Sequence, residues 1–404
     1  MLVKGTYGSA KVFAQHVEDG AKEQIETLLN QDFLKGSRIR IMPDVHQGMG
    51  CVIGFTADMG DKVIPNIVGV DIGCGMLTVE LGKIAIDLPK LDQIINSKIP
   101  SGRHTHQSRV VKFDKLKDLY MFRDLKDTKR LERSIGTLGG GNHFIEVGLD
   151  SQKNTFLVIH SGSRNLGTQV ARYYQNLAID VCSGKEEYFT RRDHIIETYK
   201  AQGRREQIKP ALHLLEMEYK GLKPNYPRDL CYITGKFRDE YLHDMKICQE
   251  YASLNREVMA DIILTNLLQK NLHEFPYFET VHNYINFKDN IIRKGAISAY
   301  EGERVLIPIN MRDGSILATG KGNSDWNYSA PHGAGRVLSR TEAKKELALG
   351  TFKKTMKHIY STSVHKGTLD ESPEAYKPMD EILASISETV DVIDIIKPIY
   401  NYKA

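Results

Sequence analysis

Hydrophobic and polar positions repeat with two different periods along this chain, and the switches between them outline its organisation. Residues 11–30 space their apolar positions as an amphipathic helix does. "RIRIMP", beginning at Arg38, alternates instead, and reads as a strand entering a glycine-rich region that runs through Gly75. Residues 142–149 and 155–161 are short apolar strands bounded by polar, glycine-bearing text. The helical period returns over 167–182 and persists through roughly 190–271. There "DEYLHDMKICQEYASLNREVMADIILTNLLQK" places Met and Tyr at core spacing. From residue 277, "YFETVHNYINF", "KGAISAYEGERVLIPINM" and "SILATGKG" read as strands, and two helices over 339–357 and 378–396 close the chain. No internal repeat or low-complexity linker interrupts this order. The expectation is an α+β fold: one mixed α/β domain over 1–404, with a helix-rich insertion at about 183–272 and a site gathered from distant loops.

Composition narrows the class. A hydrophobic content of 41% with 26% charged residues is that of a globular chain. No apolar run approaches the ~20 residues of a membrane span, and "MLVKGTYGSAKVFAQHVEDG" has no signal-peptide block. Five cysteines without a CxxC pair argue for a reducing, cytoplasmic setting. Each is then a core residue, a ligand or a nucleophile. The net charge of +4 is compatible with a nucleic-acid partner without requiring one. Between Arg103 and Arg133 ten Lys/Arg stand against five Asp/Glu, which is either a solvated face or an RNA-facing patch.

Four segments hold candidate chemistry: "GVDIGCGM" with Asp71 and Cys74, "GTLGGGNHFIEV" with Asn142, His143 and Glu146, "VIHSGSRNLG" with His160 and Arg164, and "VHNYINF" with His282 and Asn283. Asp, Cys and three His form a ligand set for a transition metal, while each alone reads equally as a core or surface residue. A thiolate can bridge two ions, a recurring clamp in phosphoryl chemistry. "LGGGN" is either a phosphate-approaching run of N–H groups or a plain turn. Neither a Walker A loop nor a dinucleotide fingerprint occurs. A lysine nucleophile of the K-x-D-G type is also missing, since "MRDG" and "VEDG" put Met311 and Val17 in its place. An imidazole can attack phosphorus instead, given one free ring nitrogen, a partner for the other and room for a nucleotide. "NYSAPHGAGRVLSR" surrounds His332 with small residues that supply such room.

Taken in order, "MPDVHQGMG", "IVGVDIGCGM", "GTLGGGNHFIEV", "IHSGSRNLG", "HNY" and "HGAGRVLSR" resemble the signatures of the RtcB family of RNA ligases, from about residue 38 to the C-terminus and more weakly over 180–275. The resemblance implies β-sheets around a deep metal and GTP cleft. It implies a ligase that joins RNA 2′,3′-cyclic-phosphate or 3′-phosphate ends to 5′-hydroxyl ends with GTP and two Mn²⁺ ions, through a GMP-histidine, in tRNA splicing or RNA repair. His332 is similar to the guanylylated nucleophile and Asp44 to the carboxylate behind it. Cys74 resembles the bridging thiolate, with His160 and His282 on one ion and Asp71 and His143 on the other. Asn142, His143, Phe144, Ile145, Glu146, His282 and Asn283 resemble GTP contacts. So do Pro308, Ile309, Asn310, Met311, Ser315, His332, Gly333, Ala334, Gly335, Tyr376 and Lys403. Arg164, Arg336 and Arg340 resemble arginines of the RNA path; the plainer reading of the last two is a solvated helix start. An archease-type activator is a further partner the family implies. The chain departs from the family in the longer loop "IPINMRDGS" and in Pro331, which biases Ala330 toward extended backbone. Two other readings remain open: a metal-dependent RNA-end phosphodiesterase or cyclic phosphatase that does not ligate, and a non-catalytic RNA-binding relative.

Overall fold

A computed structural model describes residues 1–403. Its strands are β1 (Leu2–Lys4), β2 (Ser9–Val12), β3 (Ile39–His46), β4 (Ile53–Asp58), β5 (Gly75–Gly82), β6 (Phe144–Leu149), β7 (Thr155–Ser161), β8 (Tyr277–Ile285), β9 (Ile291–Ser298), β10 (Arg304–Asn310), β11 (Gly314–Gly320), β12 (Ser329–Pro331) and β13 (Val390–Lys403). They join in one sheet of order β1-β2-β3-β4-β9-β8-β5-β7-β6-β13-β11-β10, with β12 paired to β9. Only β2 and β3 run parallel. The helices are α1 (Asp19–Leu29), α2 (Pro65–Val68), α3 (Leu88–Lys98), α4 (Thr128–Arg133), α5 (Arg164–Cys182), α6 (Glu186–Ala201), α7 (Ile208–Glu218), α8 (Gly235–Leu268), α9 (Arg340–Glu346), α10 (Leu349–Thr355) and α11 (Met379–Ile386). Among the described residues no helix is long and apolar enough to cross a membrane. The α+β expectation holds.

Three elements differ from the sequence reading. The first helix starts at Asp19, because Ala10 and Val12 turn inward with period two and form β2 beside β3. The helix expected over 339–357 is two, separated where Leu347 and Ala348 go extended. The helix expected over 378–396 ends at Ile386, and Val390–Lys403 is the longest strand of the sheet. "VDVIDII" is rich in β-branched residues, which a pleated surface accommodates better than a helix does. Pro398, which lacks a ladder N–H, sits at the bulge between Pro398 and Tyr400.

The core has several parts. One packs α1, α5 and the first half of α8 against β2–β4; another packs α3 and the second half of α8 against β5, β6 and β7. A third places α11 under β9–β11. The segment carrying α6 and α7 is mostly exposed, with only Phe189 and Leu215 of those two helices buried. It adds little to the core that positions the site.

Candidate active site

Strand register explains why four distant motifs meet. β8, β5, β7 and β6 are consecutive neighbours, with Gly75 opposite Val281, Met76 opposite His160, and His160 opposite Phe144. Cys74 immediately precedes β5 and His143 immediately precedes β6. One end of four adjacent strands therefore carries His282, Cys74, His160 and His143. β12 lies on the far side of β9, pairing Ala330 with Ile297, which itself faces His282. That extended pairing agrees with the bias from Pro331 and sets the His332 ring 4.8 Å, centroid to centroid, from the ring of His282.

Two donor groups result, Cys74 with His160 and His282, and Asp71 with Cys74 and His143. Cys74 belongs to both. Its Sγ lies 3.3 Å from His160 Nε2 and 3.4 Å from His143 Nε2. His160 Nε2 is 3.3 Å from His282 Nε2, and His143 Nε2 is 3.0 Å from Asp71 Oδ2. The Leu138 carbonyl accepts from His143 Nδ1 at 2.8 Å, which leaves the Nε2 lone pair for the cluster. Burial, with the neighbouring imidazoles, pushes His160 and His282 well below the usual histidine range, so both are neutral donors. Burial also acts to raise Asp71, but His143, Cys74 and Arg164 outweigh it and hold the carboxyl low. Burial and Asp71 push the Cys74 thiol up, a balance that a bound cation inverts. Gly162 packs against the Asp71 carboxylate where any Cβ would collide. Neutral imidazoles, a carboxylate and a thiol crowded with their lone pairs converging fit divalent transition ions.

His332 hangs from a second anchor. Asp44, fully buried in β3, accepts from His332 Nδ1 at 2.6 Å and from the His332 backbone N–H at 3.2 Å through the same Oδ2. A carboxylate only accepts, so Nδ1 carries the proton and Nε2 carries the lone pair. The glycines after His332 have a structural purpose: Gly335, at φ +75°, runs against the Asp44 backbone with no space for a Cβ.

A cleft with about 950 Å³ of empty space, mouth included, opens over His332. Asn142, Phe144 and Glu146 line one wall, Pro308 to Met311 with Ser315 another, and His332 to Gly335 the floor; Tyr376 and Lys403 complete it. Lys403 Nζ donates to Glu371 Oε2 at 2.6 Å and to the Asn142 carbonyl at 3.2 Å, and stands 5.1 Å from the Phe144 ring centre. Tyr376 donates to Glu371 at 2.8 Å, and Arg340 donates to both Asp370 and Glu371 at 2.6 Å. Arg336 donates to the Tyr376 hydroxyl at 3.0 Å. Arg336 is thus bound into the cleft wall, whereas Arg340 pairs with the wall carboxylates while remaining exposed at the start of α9. Two carboxyls there differ sharply. Burial raises Glu371, but Lys403 and Arg340 overcome it and hold it down at about 2. Burial dominates at Glu146 and lifts it to about 8 against Asn401 and Lys403.

Of the expected cleft residues, His143 and His282 belong to the donor cluster instead, and two more lie elsewhere. Ile145 points to the opposite face of β6, into the core with Leu77 and Leu157. Asn283, at φ +67°, ties the Asp71 carbonyl to the Gly295 N–H and does not line the cleft. Arg164, at φ +57°, opens α5 and lines a second cleft with Asp71, His143, Arg103, His104 and Arg130. Glu371, Asn401 and His46 were missed by sequence reasoning, whereas the last basic residues fall in a run it had singled out. The Arg103–Arg133 charge run was a signal for Arg103 and Arg130; no local pattern marked Glu371 or Asn401.

Fold and cluster together define an α+β protein with a buried Asp–Cys–His centre suited to metal ions. A family model described as "tRNA-splicing ligase RtcB" matches residues 24–126 and 122–404. The "RNA-splicing ligase RtcB" of Escherichia coli K12 is 30% identical, covering 96% of this chain and 95% of that protein. The "tRNA-splicing ligase RtcB" of Nanoarchaeum equitans is 25% identical over 85% of this chain and 83% of its own. The "RNA-splicing ligase RtcB" of Mycobacterium bovis is 25% identical over 85% and 90%. The chain belongs to the RtcB family.

Proposed function

We propose that this chain is a cytoplasmic RNA ligase, a single catalytic unit that seals 2′,3′-cyclic-phosphate or 3′-phosphate ends to 5′-hydroxyl ends with GTP. The observation that carries the reading is His332, with Nδ1 committed to Asp44 and Nε2 free beside the donor cluster. His332 Nε2 attacks the α-phosphorus of GTP; an N–P bond forms and the P–O bond to pyrophosphate breaks. Asp44 stabilises the positive charge the ring gains. A 2′,3′-cyclic end is first opened by water, which breaks the bond from phosphorus to O2′; an oxygen of the 3′-phosphate then takes GMP as the N–P bond to His332 breaks, the 5′-hydroxyl oxygen attacks the activated 3′-phosphorus with loss of its proton, and GMP leaves. Asp71, Cys74, His143, His160 and His282 would hold two Mn²⁺ ions, which supply charge neutralisation on the phosphates. Glu146 is poised to meet the guanine edge: its Oε2 accepts from Asn401 at 2.7 Å, and its buried Oε1 has no partner. Lys403, above the Phe144 ring, and Tyr376 would frame the base, while Pro308, Ile309, Asn310, Met311 and Ser315 shape its wall. Arg164, Arg336 and Arg340 would face RNA phosphates through their planar donor forks. Split tRNA or rRNA fragments are the substrates this chemistry fits, and an archease-type activator is a partner to be tried alongside.

The experiment is incubation with α-labelled GTP and Mn²⁺, followed by denaturing electrophoresis. Label is expected on the protein, stable to alkali, released by acid and absent from His332→Ala. Label retained in that variant would remove His332 as the nucleophile.

A further inference from the structure

The long helix α8 carries two buried polar residues, Asn255 and Arg256, where its packing passes from one core to the next. Arg256 is 1% exposed. A guanidinium taken out of water at that depth costs several kilocalories unless its donors are satisfied, and a helix that needed only filling there would carry Leu or Met. Its three contacts are with three segments that each bear a donor of one triad. Arg256 Nη1 donates to the Gly73 carbonyl at 2.9 Å, next to Cys74, and to the Ser161 carbonyl at 2.8 Å, next to His160. Its Nε donates to Glu279 at 2.7 Å, on the strand that carries His282.

Asn255 does the same for the remaining imidazole. Its Oδ1 accepts from the Gly136 and Thr137 N–H groups at 2.8 and 3.0 Å. Its Nδ2 donates to the Ser161 hydroxyl at 3.1 Å, which donates in turn to the Leu138 carbonyl at 2.8 Å. That carbonyl is the one that accepts from His143 Nδ1.

We infer that Asn255 and Arg256 are positioning residues that clamp the four donor-bearing segments into register, so that the helix-rich insertion sets the geometry of the metal centre from behind. The inference rests on the metal reading of the cluster. Lysine has no planar fork and would reach fewer of the three acceptors.

The test is titration of chelator-treated full-length protein with Co²⁺, reading the thiolate-to-cobalt absorption band. Wild type is expected to give the band; its absence would overturn the metal reading itself and this inference with it. Arg256→Gln is expected to bind Co²⁺ at least about tenfold more weakly, with a diminished band per bound ion, and Arg256→Lys to fall between. Ile263→Val, a core change lower on α8, serves as a control that lowers thermal stability and leaves the band unchanged. Unaltered Co²⁺ affinity and band in a folded Arg256 variant would overturn the clamp. Should neither Arg256 variant fold, Glu279→Gln decides: a few-fold loss of Co²⁺ affinity supports the clamp, and none overturns it.

Discussion

The donor cluster and the cleft over His332 adjoin each other, yet they are built on opposite principles. The cluster is buried and made of groups whose neutral forms burial favours, His160, His282 and the Cys74 thiol. Its order comes from strand register and from a clamp behind it. The cleft wall is a web of formal charges in which Glu371 gathers Lys403, Arg340 and Tyr376 from three other segments. The first arrangement is suited to cations, and the second sets basic side chains around a buried carboxylate. Their difference teaches that position in the cluster is set by backbone pairing, whereas the cleft wall adds charge pairing to the β13–β6 pairing that brings Lys403 and Asn401 into it.

The sharpest way to break this contrast is Cys74→Ala. It deletes the one donor common to both triads, and stoichiometric Mn²⁺ binding and RNA sealing are expected to vanish together, measured by equilibrium dialysis and a ligation gel. Retention of one tightly bound ion would mean that the triads are independent. Glu371→Ala comes next. Removing one partner of a buried ion pair leaves an uncompensated charge, worth about 3–5 kcal/mol, so chemical denaturation should show a loss of about 3 kcal/mol while the circular-dichroism spectrum of the folded chain is kept.

Acid unfolding sharpens the comparison further. The Glu371 carboxyl lies at about 2 in the folded chain against ~4.3 when unfolded. Its folded value is depressed, so its stabilisation is present above the unfolded value and lost as pH falls from about 4.5 toward 2. The linked free energy is roughly 3 kcal/mol. Glu371→Gln should flatten that limb in a pH series of urea melts; an unchanged slope would deny the ion pair. Glu146 has the opposite sign. Its carboxyl is raised to about 8 against ~4.3 when unfolded, so the protonated form contributes most below the unfolded value, and stability drains as pH rises from about 4.3 to 8. Glu146→Gln should remove that drift. The smallest effect belongs to the excursion of α6 and α7: Leu214, 69% exposed, replaced by Ser should shift stability by less than about 0.5 kcal/mol.

What could be read in advance follows the same division. Asp71, Cys74 and His143 stand beside glycine-rich turns just ahead of strands, and His160 and His282 sit within strands, so their motifs were visible one by one and the sheet only had to align them. His332 announced itself through its small neighbours, whose role at Gly335 proved to be close passage against Asp44. Glu371 and Asn401 carry no local signal, because their partners come from elsewhere in the chain and the last strand was misread as helix. A helical reading of 378–396 could not have placed Asn401 against Glu146 or Lys403 against Glu371, contacts that exist only because β13 pairs with β6. Ile145 sits inside a motif, but strand alternation, available from the sequence, turns it to the other face.

The most direct measurement is diffraction at the manganese edge from crystals grown with Mn²⁺. Two anomalous peaks are expected, one among Cys74, His160 and His282 and the other among Asp71, Cys74 and His143. A single peak, or peaks remote from Cys74, would contradict the shared-thiolate centre on which the ligase reading stands.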